Sequence, residues 1–407
     1  MSSPLPTSFR RLSWSNLLAQ SAEQLSLAAV PMVAVLLLQA GPGETGLLAS
    51  VQSLPFLLLS IPLGLLADRS SRTRLMAWAE SLRAMALLLL LALILTDQVS
   101  IFALGVTGFL AAVGTVASSV AAPSLVPALV PVQDLARANG RLELARSAAF
   151  AAGPALAGAL IAWTGAPAAF VLSGILSVSA VLCLRGILEP GRAAVPPRHP
   201  LLELQDGARW VWKSPLLRPI VFTSIVWNIS WFMLQAAYVP YAIHDLGLDA
   251  SGVGLTLAGY GVGMMAGALL APRVVALLPF GWAVLLGPYC SVLAALTMAL
   301  TLFWPHGWLA VLSYFLFGSG PIIWTITSTT LRQTVTPRAM IGRVTSINIV
   351  VSTGARPLGA ALGGLVGVYF PVAVSLWCVV LGFGLQAVII SASRVRTLAR
   401  LPDPLPD

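Results

Sequence analysis

Charged residues are scarce in this 407-residue chain, in which Asp, Glu, Lys and Arg together make up 9% and hydrophobic residues 58%. A soluble domain carries about 25% charged residues because its surface faces water. Too few charges remain here to coat such a surface, so we expect lipid to cover most of the molecule. The shortage excludes an ordinary soluble protein and indicates an integral membrane protein.

Cysteine, histidine and lysine are rare as well, with three cysteines, three histidines and a single lysine, Lys213. The cysteines fall within apolar runs and are too few for a disulfide framework. Lys213 lacks the preceding glycines of a phosphate-binding Gly-x-x-x-x-Gly-Lys-Ser/Thr loop, which argues against an ATP-driven pump. The histidines stand apart in loops, where they form neither a metal site nor an acid–base pair. We therefore predict no enzymatic activity, no catalytic residue, no metal and no cofactor.

Long apolar runs recur along the whole chain. A membrane-spanning helix needs ~20 mostly apolar residues, and about a dozen stretches meet that requirement. The fold class predicted is thus an all-α membrane protein with twelve transmembrane helices. The predicted spans are 15–40, 46–67, 75–95, 100–127, 143–163, 166–188, 216–242, 251–271, 282–303, 307–331, 344–368 and 371–392.

The net charge of +9 is distributed by loop. Arginine occupies alternate connections and both ends of the chain, whereas the remaining connections carry only the acids Glu44, Asp97, Asp245 and Asp249. This is the positive-inside pattern, and it predicts that both termini are cytoplasmic in a bacterial inner membrane. The basic excess therefore sets topology and does not indicate a nucleic-acid partner. The first apolar run is too long for a cleaved signal sequence, so we expect it to remain as a span.

One long polar segment divides the chain into halves. It opens rich in Pro and Arg, then places Leu201, Leu204, Ala208 and Val211 at helical spacing. This pattern predicts a linker with an amphipathic helix on the membrane surface. The predicted organisation is an N-terminal six-helix half (1–188), the linker (189–214), a C-terminal six-helix half (215–393) and a tail (394–407).

The two halves also match in sequence. An offset of 203 residues separates Gly64 from Gly267 in one small-residue motif, and Pro154 from Pro357 in another. Internal repeats of this kind are typical of secondary transporters, whose substrate site lies between the halves near mid-membrane. A channel is disfavoured, because a repeat with kinked, small-residue helices suits alternating access better.

The loop after the second span resembles the signature of the major facilitator superfamily, Gly-x-x-x-Asp-Arg-x-Gly-Arg-Lys/Arg. Ser71 replaces the second glycine, and Ala271 stands where the second half would repeat the acid. The resemblance implies that this loop is a gate between open states. The predicted gate residues are Gly64, Asp68, Arg69, Arg72 and Arg74.

Other segments are most similar to the macrolide-efflux and enterobactin-exporter branch of that superfamily. They include Ala122-Pro123 through Asn139, Asp206 through Arg218, and Gly342 through Gly359. The resemblance implies a helix-packing motif at Gly153, Pro154, Gly158 and Pro357. Span four lacks the arginine of other proton-coupled drug exporters, which argues against a proton relay there.

Charged residues inside spans are costly and indicate function by default. Glu23 lies in span one, where low-dielectric surroundings favour a neutral carboxyl, so we predict that it exchanges the coupling proton. Arg356 lies near the centre of span eleven. The sequence leaves open whether it pairs with Glu23 or binds an acidic group of the substrate. For Glu80–Arg83 and Glu143–Arg146, both three residues apart near span ends, we expect local ion pairs with snorkelling side chains.

Polar and aromatic residues recur every three to four positions on span seven. This stripe predicts the lining of a substrate cavity, with Tyr238 near its outer end also fitting an interfacial belt. The predicted cavity residues are Gln24, Gln52, Trp227, Asn228, Trp231, Gln235, Asn348 and Arg356.

Two hypotheses about the transported substrate follow. The first is a monomeric, proton-coupled exporter (an antiporter) of drugs or small hydrophobic metabolites. The second is a lipid or lysophospholipid translocator of the same fold, in which Arg356 serves a phosphate headgroup. A membrane-embedded enzyme is a distant third.

Overall fold

The computed structural model describes residues 6–131, 134–187, 189, 200–337 and 340–402, and inside its helices it leaves out the side chains of residues 65, 68, 69, 123, 124, 127, 135–137, 140, 200–204, 342 and 346. The described residues form thirteen α-helices and a short 3-10 helix, with no strand among them. Twelve of these helices are long and apolar enough to cross a membrane. The predicted all-α fold class is confirmed.

Six spans precede the linker helix and six follow it. The first six are α1 (Thr7–Leu38), α2 (Pro42–Arg69), α3 (Arg72–Leu95), α4 (Ile101–Leu129), α5 (Leu135–Thr164) and α6 (Ala166–Leu184). The linker helix is α7 (Pro200–Lys213). The last six are α8 (Leu217–His244), α9 (Ala250–Leu277), α10 (Phe280–Leu300), α11 (Gly307–Thr334), α12 (Ile341–Tyr369) and α13 (Val372–Ser391), followed by the 3-10 turn Arg394–Thr397.

Short capped turns separate the spans on the side away from α7. Glu44 accepts a hydrogen bond from the backbone of Gly41 at 2.8 Å, and Asp249 accepts one from the backbone of Gly252 at 2.8 Å. Gly165 and Gly247 have positive φ angles of 87° and 64°, which favour glycine. Glu44 and Asp249 thus cap helix starts, where the helix dipole favours negative charge.

The two halves repeat one pattern of helix packing. In the first half, α1 packs on α5 and α6, and α3 packs on α4 and α6. In the second half, α8 packs on α12 and α13, and α10 packs on α11 and α13. The halves join along two seams, α2 against α12 and α5 against α9. The sequence repeat therefore corresponds to a repeated arrangement of helices.

The apolar core is shared by the halves at only one end of the bundle. We call the end at which α7 lies the linker side. On the opposite side one cluster joins residues of both halves, from Val33 and Phe170 to Tyr238 and Phe317. On the linker side the described residues form separate clusters, one around Leu125 in the first half and others around Val284 and Val344 in the second. Among the side chains that the structure describes, the buried apolar residues thus join the halves on the opposite side and form separate clusters on the linker side.

Large apolar side chains cover the outer surface of the bundle. Phe102, Trp163, Leu269, Leu277 and Leu381 are all at least 70% exposed. An apolar surface of this extent would aggregate in water. It fits the hydrocarbon core of a bilayer instead.

Candidate functional site

A buried ionic network lies inside the first half. The Arg83 guanidinium donates to both carboxylate oxygens of Glu80 at 2.8 and 2.9 Å, and it lies 3.4 Å from the Glu23 carboxylate on α1. Glu80 and Arg83 are adjacent on one face of α3 because they are three residues apart. The network therefore links α3 to α1 through a single arginine.

Helix α4 supplies the remaining partners of this network. The Thr115 hydroxyl accepts a hydrogen bond from Arg83 Nη2 at 2.8 Å, and the Ser118 hydroxyl donates to Glu80 at 3.4 Å. Arg83 Nη1 also donates to the carbonyl oxygen of Ala19 at 3.2 Å. These bonds satisfy the arginine almost completely, which is what a buried cation requires.

The network carries one more acid than base. With all three groups ionised, Glu23, Glu80 and Arg83 sum to a charge of −1. Arg146 and Arg356 also interact electrostatically with Glu23 from outside this network. The side chains differ in access, since Glu80 is 1% exposed and Glu23 is 16% exposed. Glu23 is therefore the more accessible carboxyl of this network.

The expected snorkelling of Arg83 was wrong. The Glu80–Arg83 pair forms, but Arg83 is only 2% exposed because Ala19 and Glu23 of α1 and Thr115 of α4 contact its guanidinium. The pair that remains near the surface is Glu143–Arg146, at 2.6 Å with both side chains at least one third exposed. Arg146 also lies over the ring of Phe150 at 5.6 Å.

Arg356 lies where α2, α8 and α12 meet. Its Nε donates to Asn228 Oδ1 at 3.3 Å, and its guanidinium lies 4.9 Å from the ring centre of Phe56 and 5.4 Å from that of Phe232. Phe56 belongs to the first half and Phe232 to the second. The suggested pairing of Arg356 with Glu23 is not formed, because Glu23 is bound by Arg83 instead.

An aromatic cluster fills the second half beside this arginine. Trp227 and Trp231 stack at 5.5 Å between ring centres, and Trp231 lies 5.0 Å from Tyr260 and 5.1 Å from Phe317. Trp227 also meets Phe383 edge-on at 6.5 Å. The cluster draws on α8, α9, α11 and α13, so the stripe predicted on one helix is one wall of a larger aromatic assembly.

The predicted polar residues of the second half are placed within or beside the cluster. Asn228 is buried and donates its amide to the carbonyl oxygen of Ser224 at 2.9 Å, while Gln235 accepts from the Tyr314 hydroxyl at 2.8 Å. Asn348 on α12 has a buried Oδ1 without a partner among the described residues. Tyr238 does not lie in an interfacial belt, since it is fully buried and bonded to Thr256.

The predicted glutamines of the first half pack against neighbouring helices. Gln24 is buried against Gly153 of α5. A Cβ on Gly153 would lie only 2.6 Å from the Cβ of Gln24, so the two helices are close at this point. Gln52 lies against Gly108 of α4 in the same way. Both glutamines thus occupy gaps that glycine leaves open.

Three residues of the predicted helix-packing motif, Pro154, Gly158 and Pro357, lie on the seams between the halves. A Cβ on Gly158 would meet the backbone of Ala250 at 2.2 Å and of Gly254 at 3.0 Å, so α5 and α9 approach as closely as their backbones allow. Pro357 accepts a hydrogen bond from the Ser50 hydroxyl at 3.1 Å across the α2–α12 seam. Pro154 and Pro357, equivalent in the repeat, thus occupy the two seams, whereas Gly153 faces Gln24 of α1 within the first half.

The predicted gate loop makes contact with the end of the sixth span. Arg72 lies 4.0 Å from the Glu189 carboxylate, which also accepts hydrogen bonds from the Ser71 hydroxyl at 2.9 Å and the Thr73 backbone at 3.3 Å. A Cβ on Gly64 would lie 3.7 Å from the side chain of Val120 on α4, an ordinary van der Waals contact. Arg74 is exposed. The side chains of Asp68 and Arg69 lie outside the described residues.

Comparison with known proteins decides the family. The Major Facilitator Superfamily profile matches residues 12–360. The chain belongs to the Major Facilitator Superfamily. It is a multi-pass membrane transporter and not an enzyme.

Curated relatives share this assignment. The chain is 31% identical over 296 residues to the MFS-type transporter y4rN of Sinorhizobium fredii, covering 70% of this chain and 68% of that protein. It is 29% identical to the enterobactin exporter EntS of Citrobacter koseri, over 84% of this chain and 82% of that protein. It is 27% identical to the multidrug efflux pump Tap of Mycobacterium tuberculosis, over 96% of this chain and 95% of that protein.

Solved structures confirm the superfamily fold. A bacterial homologue of the iron transporter ferroportin in an inward-facing state aligns with a TM-score of 0.73 at 17% identity, covering 95% of this chain and 98% of that one. A bacterial homologue of the human lysosomal transporter Spinster aligns at 0.71 and 16% identity over the full length of both chains.

Several residues of the candidate site were not predicted from the sequence. They are neutral or aromatic side chains on helices other than span seven, or belong to the linker: Thr115, Ser118, Tyr260, Tyr314, Phe317, Phe383 and Glu189. Thr115 and Ser118 are three residues apart and so share a face of α4, which is a signal for a polar surface once a charged partner is known.

Proposed function

We propose that this transporter is a proton-coupled exporter, an antiporter of drugs or small hydrophobic metabolites that works by alternating access. Glu23 carries the coupling proton, and both chain ends lie in the cytoplasm of a bacterial cell. The enterobactin exporter and the multidrug efflux pump among its relatives support export as the direction.

The observation that carries proton coupling is the unequal ionic network. Arg83 is neutralised by Glu80, and Glu23 is the extra acid at its more exposed edge. Protonation of Glu23 removes a net charge from the membrane interior and weakens the tie between α1 and α3. A single proton thus changes both the charge and the helix contacts of the first half, as a coupling site requires.

The uneven core supports alternating access. A shared core on one side with separate cores on the other is the arrangement expected of one end state, with the opening on the linker side. The seams carry small residues such as Gly158 and Gly254, across which backbones rock with little side-chain interlocking. The gate loop, tied to Glu189 on the linker side, would be rearranged in the other end state.

Substrate-dependent proton flux tests the proposal. The protein is reconstituted into vesicles containing a pH-sensitive dye, and 2-naphthoate, 2-naphthamide and 2-naphthylmethylamine are added in turn as anionic, neutral and cationic probes. At least one probe should move protons in the wild type. Glu23→Gln should abolish proton-driven transport of that probe and retain its binding, because the amide cannot exchange a proton.

Asp97→Asn is the matched control. It makes the same acid-to-amide change at an exposed loop residue outside the network, and it should leave the flux unchanged. Unchanged pH-driven transport in Glu23→Gln would refute the coupling role. Probe movement without any proton flux in the wild type would refute antiport with protons.

A further inference from the structure

Arg356 is a membrane-embedded cation that forms no ion pair in the described structure, and the charge of Glu23 acts on it only from beyond ion-pair distance. Among the described side chains, no carboxylate lies within 4.0 Å of its guanidinium, although each of Arg72, Arg83, Arg146 and Arg343 has one. An arginine inside the membrane is normally paired with an acid or placed in water. The amide oxygen of Asn228 is a neutral acceptor and does not cancel the charge.

The free end of Arg356 remains open to a ligand. Its only hydrogen bond within the described residues uses Nε, and neither terminal nitrogen is among the polar atoms sealed from solvent without a partner. The planar guanidinium offers two parallel donors that match a carboxylate or a phosphate. Phe56 and Phe232 face the cation from opposite halves and stabilise it without supplying negative charge.

The residues around Arg356 also indicate which uncharged group the ligand carries beside its acid. Asn228, which holds Nε, directly follows Trp227 on α8. Trp227 stacks on Trp231, and its indole Nε1 is buried without an acceptor among the described residues. Asn228 thus links the arginine, through one hydrogen bond, to the helix that carries the stacked Trp227 and Trp231.

We propose that Arg356 binds the acidic group of an aromatic organic anion whose ring stacks on Trp227. This inference rests on the proposed function for the statement that the ligand is the transported substrate, and it narrows that substrate from hydrophobic compounds in general to aromatic acids. The contact with Phe56 further places the anion between the halves, where its arrival would alter the α2–α12 seam.

Binding to the purified wild-type protein in detergent at one fixed pH tests this assignment, by isothermal titration calorimetry with 2-naphthoate, 2-naphthamide and 2-naphthylmethylamine. The three probes share a ring system and differ in charge. Naphthoate should bind at least about tenfold more tightly than the amide, since charge-assisted hydrogen bonds are about twice as strong as neutral ones. The cationic amine should bind most weakly.

Arg356→Gln should remove the preference for naphthoate and leave naphthamide binding within about twofold, which also shows that the variant is folded. Arg356→Lys should retain part of the preference, because the charge remains while the two-pronged geometry is lost. Arg273→Gln, at an exposed arginine without an ion pair in the described structure, should leave the preference intact.

Equal binding of naphthoate and naphthamide to the wild type would overturn the proposal, as would a preference that survives in Arg356→Gln. Binding of oleoyl lysophosphatidate is measured in the same way, to test a phospholipid headgroup as the alternative ligand. Arg356-dependent binding of this lipid more tightly than naphthoate would replace the aromatic acid with a phospholipid headgroup. Because no proton gradient is present, these outcomes are independent of the coupling role of Glu23.

Discussion

Two arginines deep in the membrane, one in each half, are treated in opposite ways. Arg83 is sealed among α1, α3 and α4, with a carboxylate on each side and a threonine between them. Arg356 has one amide oxygen and two phenyl rings around it, and no acid of the described structure within ion-pair distance. The first arginine is paired within the protein, whereas the second forms no ion pair.

The difference shows how a repeated scaffold acquires two tasks. Both halves pack their six helices in the same pairs, so the helices do not distinguish them. The side chains do, since the first half places an acid in excess and the second an arginine in excess beside an aromatic cluster. In our account proton exchange belongs to the first half and substrate recognition to the second.

The largest expected effect is a difference in protein stability between substitutions of the two arginines. Arg83→Gln leaves Glu80 buried without its cation, and breaking such a pair costs about 3–5 kcal/mol. Arg356→Gln removes an uncompensated charge and should leave stability unchanged or raise it. Thermal unfolding in detergent, followed by circular dichroism, measures both.

The double variant Glu80→Gln/Arg83→Gln supplies the control for this comparison. It removes both charges of the pair and should recover part of the stability lost in Arg83→Gln. If Arg356→Gln were the more destabilising single change, the contrast between the arginines would be refuted.

A smaller effect concerns the aromatic cluster. Trp227→Ala should weaken naphthoate and naphthamide binding by similar factors, corresponding to about 1–2 kcal/mol, because lost stacking and apolar contact do not depend on charge. Arg356→Gln should instead affect the anion alone. Calorimetric titration of both probes distinguishes the two patterns, and a charge-dependent loss in Trp227→Ala would show that ring and charge are not recognised separately.

The smallest effect lies on the seam between the halves. The Thr45 hydroxyl donates to the carbonyl oxygen of Ala236 at 2.6 Å, a hydrogen bond from α2 to α8 on the closed side. Thr45→Val removes it and should destabilise that closure by about 0.5–1 kcal/mol. Distances between spin labels on the closed side should then show more of the opened state, while Thr107→Val, whose hydroxyl bonds only within α4, should show no shift.

The architecture was largely predictable from sequence because lipid imposes strong rules. Long apolar runs predict the spans, and the offset between Pro154 and Pro357 predicts the repeat. The cytoplasmic position of both termini, inferred from arginine in alternate loops, stays a prediction. Glu23 stood out for the same reason, as a lone acid in an apolar run.

The partners of these residues were not predictable, because sequence does not give the rotation of one helix against another. Glu80 and Arg83 satisfy each other locally at a spacing of three, so nothing in the chain indicates that α1 brings a second acid to them. The aromatic cluster likewise joins residues such as Trp231, Tyr260 and Phe317 from separate helices. The match of Arg356 with Asn228 depends on the same unknown rotations.

The central claim is that one exchangeable proton of the membrane interior is held at Glu23. Infrared titration of the protonated carboxyl band in purified protein tests it most directly, with Arg356→Gln and Glu23→Gln measured beside the wild type. We predict that one carboxyl of the Glu23–Glu80–Arg83 network loses its proton as pH rises in the wild type and in Arg356→Gln, and that this signal is missing in Glu23→Gln. A titrating carboxyl band that persists in Glu23→Gln would contradict the account.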